Sequence, residues 1–529
     1  MNGNPLPALI VTCLLAFTAC FSILLGEGNV LANLFLYFII GGSLLAFMSP
    51  RAGFLLCIIS SGYVDLVKRL MIVSDRVQML DLYYILGFPP LVFMVSVLSL
   101  MVRGFTGTVK VERWHVVMWV LACFISLANG VLSLVGAEGG YGRALQDMAN
   151  GAYSMMLFAM PLLYARPDDA MKLFRIMLWI YLPVAMYAIA QGLWGFRDFE
   201  ILYLQSGYTI EVKQLLTDRV RAFSTLNSPT SLGAVSAALM VLPFMLWCSR
   251  RAEGRRHLTI LEVLMFTPLF AGALLASTSR SAFIIIIVCV IGSLCFRSRL
   301  GTRLFYGFAV LSFAGLIASA TYLQDRLADT TESLIAMAGS RVNEEALNVN
   351  TFSDRLQGFA MVLSNPEAYT WFGYGPERGT EPTDPLYNHD LLSNILVRYG
   401  AVALAGAVLL GVTCLTFGHR QLLAIQDRRQ RRIGAMMLAL VCGMVAISIT
   451  SGNVLNIFPV NILFWMAAAA AVIAVRHQPE RAKEQPQPSV RGQPSQPMYP
   501  MSYHGTPAAG YRPLQPPHRV LSRPHFPNA

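Results

Sequence analysis

The sequence predicts an all-α fold, a polytopic membrane helical bundle of about 14 (12–14) transmembrane helices with a large, partly helical periplasmic loop. Hydrophobic residues make up 55% of the chain and charged residues only 13%, a balance that a soluble domain does not need to fill its core. Apolar stretches of about 20 residues, enough to cross a hydrocarbon layer of about 30 Å, recur along the chain. Because lipid offers no hydrogen bonds to the backbone, such continuous runs favour helices.

The apolar stretches divide the chain into a transmembrane domain, 1–475, and a tail, 476–529. The predicted spans are 8–25, 30–48, 52–71, 82–102, 113–135, 148–165, 171–195, 230–249, 258–277, 281–297, 303–322, 389–416, 433–450 and 455–475. Asp65, Lys68 and Arg69 interrupt the third span, which is compatible with a full crossing, a re-entrant segment or a partly interfacial one. The tail holds 12 of the 28 prolines and is predicted to be a disordered cytoplasmic segment.

Lys and Arg in short loops predict the orientation, because cytoplasmic loops retain them and translocated loops tend to lack them. Basic clusters lie at 249–257, 297–303 and 419–432. Placing them inside puts both termini in the cytoplasm and the 323–388 loop, with ten acidic residues and four arginines, in the periplasm of a bacterial inner membrane. The net charge of +11 then reflects the basic residues retained in cytoplasmic loops and does not indicate nucleic-acid binding.

The candidate functional residues gather on the predicted outer face. They are Arg221, Arg280, Arg355 and His389. An arginine at a helix end can simply snorkel to the interface, a loop arginine can be solvated, and a histidine can simply open a helix. The functional interpretation is that the guanidinium groups lie at the height of a lipid-linked phosphate and that the histidine titrates near working pH.

Short motifs around these residues follow one another in a specific order. They are Ser279-Arg280-Ser281-Ala282, Ser353-Asp354-Arg355, Gly373-Tyr374-Gly375-Pro376 and His389, with Arg221-Ala222-Phe223 and Leu226-Asn227-Ser228-Pro229 upstream. In order and spacing they resemble the O-antigen ligase and Wzy-type polysaccharide polymerase superfamily of multi-spanning, GT-C-like glycosyltransferases, over roughly residues 215–450. Two positions depart from the family pattern: Asn388-His389-Asp390 replaces the usual His-Asn, and the glycine after the upstream arginine is missing.

The resemblance implies an inverting, metal-independent glycosyltransferase without a cofactor, whose donor is an undecaprenyl-diphosphate-linked glycan. It implies catalytic roles for His389 as general base and for Arg280 and Arg355 as ligands of the diphosphate leaving group, part of the site being carried by 323–388. The implied substrate-binding residues are Arg221, Gly373, Tyr374, Gly375 and Asn388. The implied partners are the donor, the lipid bilayer and other polysaccharide-assembly proteins such as a flippase or a chain-length regulator.

Several functions stay open at the level of sequence. Chain length and the departure at the His389 motif favour a polymerase for exopolysaccharide or O-antigen. The alternative within the superfamily is a ligase that transfers a finished chain to lipid A-core or to a protein. A polysaccharide transporter or flippase is the alternative from another class, although transporters often show internal repeats and none is visible here. A structural scaffold would not explain the outer-face arginines and histidine.

Overall fold

The structure is a computed structural model that describes residues 30–74, 79–135, 148–206, 221–250, 254–322, 362, 369–375, 391–451 and 454–476. Within these ranges the chain forms helices and no strand, so the predicted all-α class is confirmed for the described residues. The predicted span 8–25, most of the 323–388 loop and residues 477–529 of the predicted tail lie outside these ranges.

Fourteen α-helices are formed by the described residues. The first seven are α1 (Val30–Met48), α2 (Pro50–Val73), α3 (Met79–Phe105), α4 (Arg113–Val135), α5 (Met156–Leu163), α6 (Pro167–Trp194) and α7 (Asp198–Gln205). They are followed by α8 (Pro229–Cys248), α9 (Ile260–Ser277), α10 (Phe283–Cys295), α11 (Arg299–Tyr322), α12 (Leu391–Ala424), α13 (Arg428–Ser451) and α14 (Val460–Arg476). Short 3-10 turns precede α5, α10 and α14, at Tyr153–Met155, Arg280–Ala282 and Val454–Asn456.

Each predicted span from 30–48 onward contains a helix, and the ends mostly differ by a few residues, although α5 covers only the second half of 148–165. Six helices, α3, α6, α8, α9, α12 and α13, are long and apolar enough to cross a membrane by length and composition. These are the features of a helical membrane protein. The total of about 14 crossings stays a prediction, because several of the other apolar helices are shorter than a full crossing requires.

The third predicted span forms α2, a continuous helix whose three charges lie near its C-terminal end. Lys68 Nζ is 3.2 Å from Asp65 Oδ1, and Arg69 Nη1 is 3.7 Å from Glu200 Oε1. Arg69 and Glu200 are both fully buried. A charged side chain near the bilayer is tolerated when it faces the protein interior and pairs there. The charges therefore do not interrupt the helix.

The core surrounds α8, which is buried on nearly all sides. Ser228 caps its N-terminus by accepting from Ser231 N at 3.2 Å, and Pro229 occupies the first helical position, where its missing amide costs nothing. Small residues dominate 233–238, so neighbouring helices can approach the α8 backbone closely. Both α9 and α10 pack against it, which places the connection between them next to the start of α8.

The helix ends lie on two faces of the bundle. The basic-loop face holds 48–51, 103–113, 163–168, 248–257 and 424–432, and the motif face holds 69–74, 194–206, 221–229 and 276–282. On the basic-loop face Arg51 Nη2 donates to Leu163 O at 3.1 Å. On the motif face Arg69 Nη2 donates to Leu226 O at 2.7 Å. Both contacts join helix ends that lie on the same face because successive helices run in opposite directions. The cytoplasmic location of the basic-loop face stays a prediction.

Arginines of the basic-loop face bind the carbonyls at which helices end. Besides Arg51, Arg103 Nη2 donates to Met48 O at 2.5 Å, Arg431 Nε to Ile425 O at 2.9 Å and Arg432 Nη1 to Cys248 O at 3.2 Å. The last four carbonyls of a helix have no partner within the helix, so a long cationic side chain can satisfy one of them. These arginines therefore have a structural role.

Cysteine labelling tests the orientation. Gln205→Cys lies at the end of α7 on the motif face, and Gln426→Cys lies between α12 and α13 on the basic-loop face. We expect an impermeant maleimide to label Gln205→Cys in spheroplasts and Gln426→Cys only after permeabilisation, each compared with the parent chain. Labelling in the opposite order would invert the predicted topology.

Candidate functional site

The turn between α9 and α10 carries Arg280. Helix α9 ends where Thr278 adopts a left-handed conformation with φ +52°. Ser277 Oγ donates to Leu274 O at 2.7 Å and accepts from Ser279 N at 3.3 Å. Hydroxyl side chains of this kind bind nearby backbone groups and favour turns over continued helix. The Ser/Thr-rich sequence thus forms a tight turn and leaves Arg280 exposed at the entry to α10.

Helix α8 holds this turn at close range. A Cβ atom on Gly233 would lie 2.4 Å from Ser279 Cβ and 3.1 Å from Ser277 Oγ. Since real side-chain atoms do not approach so closely, any larger residue at position 233 would displace the turn. The position of Arg280 relative to the bundle therefore depends on the packing of the buried helix α8.

Arg221 lies against the same turn. Its Nε donates to Thr278 Oγ1 at 3.0 Å, and the amide of Ala222 donates to Ala276 O at 3.0 Å. The two predicted site residues Arg221 and Arg280 are separated in sequence by α8 and α9, yet the structure brings their segments together on the motif face. Both side chains are exposed there.

Arg221 and Arg280 differ in their partners from the basic-loop arginines that bind helix-end carbonyls. Arg221 binds a neutral hydroxyl, and Arg280 has no hydrogen-bond or ion-pair partner among the described residues. Within that part of the chain, no carboxylate forms an ion pair with either guanidinium. Within the described residues no carboxylate therefore competes with an anionic ligand for these two arginines. The choice between phosphate binding and snorkelling to the interface stays a prediction.

The segment with Gly373, Tyr374 and Gly375 lies against a break in α12. Gly400, with φ +86° and ψ 175°, divides that helix into 391–399 and 401–424. The four backbone bonds across the break are Tyr374 N to Val397 O (2.9 Å), Gly375 N to Arg398 O (3.0 Å), Ala401 N to Thr370 O (3.1 Å) and Val402 N to Trp371 O (3.2 Å). Two carbonyls before the break and two amides after it are thus paired within the protein.

Two glycines allow this close approach. A Cβ on Gly373 would lie 2.1 Å from Arg398 O, and one on Gly400 would lie 2.3 Å from Trp371 O. Both glycines also have positive φ, +81° and +86°, which other residues adopt only with strain. The family resemblance implied that Gly373 binds substrate, but the close backbone contact and the positive φ already require a glycine at this position. Sequence analysis did not identify Gly400.

The break also corrects the predicted span 389–416, which is not one continuous helix. Residues 401–424 alone extend about 36 Å at 1.5 Å per residue, enough for a full crossing. Their outer surface is apolar and exposed, with Leu409 at 69%, whereas Leu396 and Val397 before the break are buried. Residues 391–399 therefore form a separate packed helix next to the 369–375 segment.

Three predicted site residues lie outside the described residues: Arg355, Asn388 and His389. Their roles stay predictions. In the sequence His389 precedes the start of α12 by two residues.

A buried polar cluster behind Arg221 was missed by sequence analysis. It consists of Arg69, Gln191 and Glu200, contributed by α2, α6 and α7, and we call it the buried cluster. The charges within the third predicted span were the only signal for it, because the burial of Glu200 depends on contacts between distant segments.

Comparison with known proteins adds one finding. Residues 263–408 match the family model described as O-antigen ligase. The match starts in α9, includes Arg280 and the 369–375 segment, and ends in α12, so it confirms the resemblance for this part of the chain. Arg221 lies outside the matched residues. No curated protein and no solved structure matches the chain.

Substitution of the two glycines tests the structural role of the 369–375 segment. We expect Gly400→Ala and Gly373→Ala each to destabilise the protein by about 1–3 kcal/mol, because the added methyl meets a carbonyl and φ stays positive. The measurement is the thermal unfolding midpoint in detergent. Gly406→Ala and Gly411→Ala are matched controls on the same helix, since a Cβ at either position has no neighbour within 4 Å. Equal midpoints for all four variants would contradict this role.

Proposed function

We propose that this protein, whose residues 263–408 match the O-antigen ligase family, is a bacterial cell-surface polysaccharide polymerase. It transfers an undecaprenyl-diphosphate-linked glycan to a sugar hydroxyl of the acceptor at the periplasmic face of the inner membrane. The observation that carries the proposal is the neighbouring position of the Arg221 and Arg280 segments on one face, with no described carboxylate paired to either arginine.

The two arginines suit a diphosphate at the membrane surface. Guanidinium groups stay charged at all physiological pH values and engage phosphate oxygens with two parallel hydrogen bonds. Arg280 opens the turn into α10, so it meets a ligand at the end of an apolar helix, near the level of a lipid head group. Arg355 supplies a further contact in this proposal.

The proposed reaction is a single displacement at the anomeric carbon of the donor. The acceptor hydroxyl oxygen forms the new bond to that carbon while the bond to the diphosphate oxygen breaks, which inverts the configuration. His389 takes the proton of the hydroxyl as general base. Arg280 and Arg355 stabilise the charge that develops on the leaving diphosphate. Asn388, Tyr374 and Gly375 lie along the chain near these groups and bind substrate in this scheme.

A ligase is the second candidate, because the matched family model is described as O-antigen ligase. Its donor chemistry is the same, and the difference lies in the acceptor, which is lipid A-core or a protein instead of a growing glycan. Both candidates use the arginines and the histidine in the same way. Chain length of the cell-surface product separates them.

The transporter alternative has weaker support. Broken helices in transporters often expose unpaired backbone groups that bind substrate or ions near the middle of the bilayer. The break at Gly400 is different, because the 370–375 backbone pairs with the groups on either side of it. The backbone groups that are paired in this way are therefore not free to bind a transported substrate.

Charge removal at the proposed site tests the glycosyltransferase. Arg280→Ala is expected to reduce polysaccharide assembly at least about 100-fold, since one lost contact to a developing charge costs about 3 kcal/mol. Arg280→Lys should retain part of the activity, because it keeps the charge and loses the paired geometry. His389→Ala should also abolish assembly. The measurement is restoration of surface glycan in a deletion strain at matched membrane levels of protein.

The control for this series is Arg303→Ala, an exposed arginine near the start of α11 in the basic cluster 297–303, which should restore assembly fully. Full assembly by both Arg280→Ala and His389→Ala would refute the proposed site.

Product analysis of the deletion strain distinguishes polymerase from ligase. For a polymerase, we expect single repeat units to remain on the acceptor, because repeat units are made but not joined. Long chains that accumulate on the undecaprenyl carrier would instead identify a ligase. The measurement is electrophoretic chain-length analysis of surface glycan together with mass spectrometry of the lipid-linked fraction.

A further inference from the structure

We propose that the buried cluster of Arg69, Gln191 and Glu200 is a positioning device that holds Arg221 at the diphosphate site. The inference rests on the proposed function, and it assigns a role to residues outside the matched 263–408 segment. The cluster lies directly behind the 221–228 segment, which connects Arg221 to the start of α8.

Arg69 makes two contacts to this segment, and a third contact anchors its side chain to its own helix. It is 1% exposed, Nη2 donates to Leu226 O at 2.7 Å, and Nε donates to Asp65 O at 3.3 Å. The guanidinium carbon also lies 4.5 Å from the centre of the Phe223 ring, within the range of a cation–π contact. A buried side chain cannot reach the donor itself, so any effect of Arg69 on activity must pass through the residues that it holds.

Glu200 and Gln191 extend the contacts to the backbone next to Arg221. Glu200 Oε1 lies 3.7 Å from Arg69 Nη1 and accepts from Tyr187 Oη at 2.9 Å and from Gln191 Nε2. The amide of Gln191 is thereby oriented, and its Oε1 accepts from Phe223 N at 3.1 Å and from Ser224 N at 2.6 Å. Two consecutive amides are thus fixed by one side chain.

The rest of the segment is fixed in the same way. Ser224, in a left-handed conformation with φ +55°, donates from Oγ to Val184 O at 2.6 Å, and Thr225 Oγ1 donates to Gly62 O at 2.6 Å. Lys68 Nζ donates to Asn227 Oδ1 at 3.0 Å. Every residue from 222 to 227 therefore has a polar contact to a residue outside this segment. Residues 222–226 are buried, so their polar groups need partners within the protein, and these partners fix the conformation of the segment that starts at Arg221.

A positioning role explains why a buried ion pair is present here. Replacing such a pair with apolar residues is often neutral or stabilising, so its presence is weak support for a role in stability. Its geometry is specific, since a planar guanidinium can bind a carbonyl, face a carboxylate and lie over a ring at the same time, whereas an ammonium group cannot. Small displacements of a charged contact have large effects on catalysis.

A double-mutant cycle between Arg69 and Arg221 tests the proposal. The variants are Arg69→Lys, Arg221→Ala and the pair, assayed in membranes with donor lipid extracted from the deletion strain. We expect Arg69→Lys to lower kcat/KM about 10- to 100-fold and to raise KM for the donor, because Arg221 is misplaced. In the Arg221→Ala background the same substitution should have less than about a twofold effect, since nothing remains to be positioned. Arg51→Lys, which also alters an arginine bound to a helix-end carbonyl, is the matched control and should keep wild-type kinetics.

The outcomes are distinguishable. An equal fall in kcat/KM in both backgrounds, or a fall in kcat at unchanged KM as partial unfolding would produce, overturns the positioning role. If Arg221→Ala alone has wild-type kcat/KM, the proposed function loses Arg221 as a donor contact. Should Arg69→Lys fail to accumulate, Glu200→Gln, which keeps an acceptor oxygen for Gln191, is tested in the same cycle with the same expected dependence on Arg221.

Discussion

The pairing of backbone groups away from water is the constraint on which the rest of the structure depends. A helix leaves carbonyls at its end and amides at its start without partners, and lipid supplies none. On the basic-loop face arginine side chains bind these carbonyls, as Arg103 does at the end of α1. On the motif face Gln191 binds the amides of a connecting segment. At Gly400 the backbone of another loop does so. The bundle thus pairs such groups in three ways, by arginine side chains, by a buried glutamine and by the backbone of another loop.

Much of the fold follows from the sequence because one requirement, an apolar run of sufficient length, determines where a membrane helix can form. The helices from α1 onward therefore lie where apolar runs predict them. The break in α12 could not be predicted in this way. Gly400, Gly406, Gly411 and Gly418 all lie in the same apolar region, and only Gly400 meets another backbone. Helix α7 was also missed, because eight residues are too short for a span.

The candidate site shows the same division between local and long-range information. The order of the motifs selected Arg280 and Arg221 as candidates, and their segments are neighbours in the structure, while their roles stay predictions. The adjacent residues Lys68 and Arg69 illustrate what sequence cannot resolve. One retains partial exposure, while the other is fully buried against Glu200 and the Phe223 ring. That difference depends on how α2 is rotated against α6 and α7, which no local pattern records.

The close contact between Gly233 and the Arg280 turn has a consequence for the bilayer around the protein. Similar contacts join α10 to α13, where a Cβ on Gly292 would lie 3.0 Å from the Ala439 side chain. The turn is therefore held in a block of closely packed helices, so its height is set by the bundle rather than by the surrounding lipid. A membrane protein of fixed hydrophobic length instead deforms the nearby lipid, at a small cost for each ångström of mismatch. Lipid next to the turn then adjusts to the protein, so a change in the acyl-chain length of the host membrane strains the surrounding bilayer and leaves Arg280 in place within the bundle.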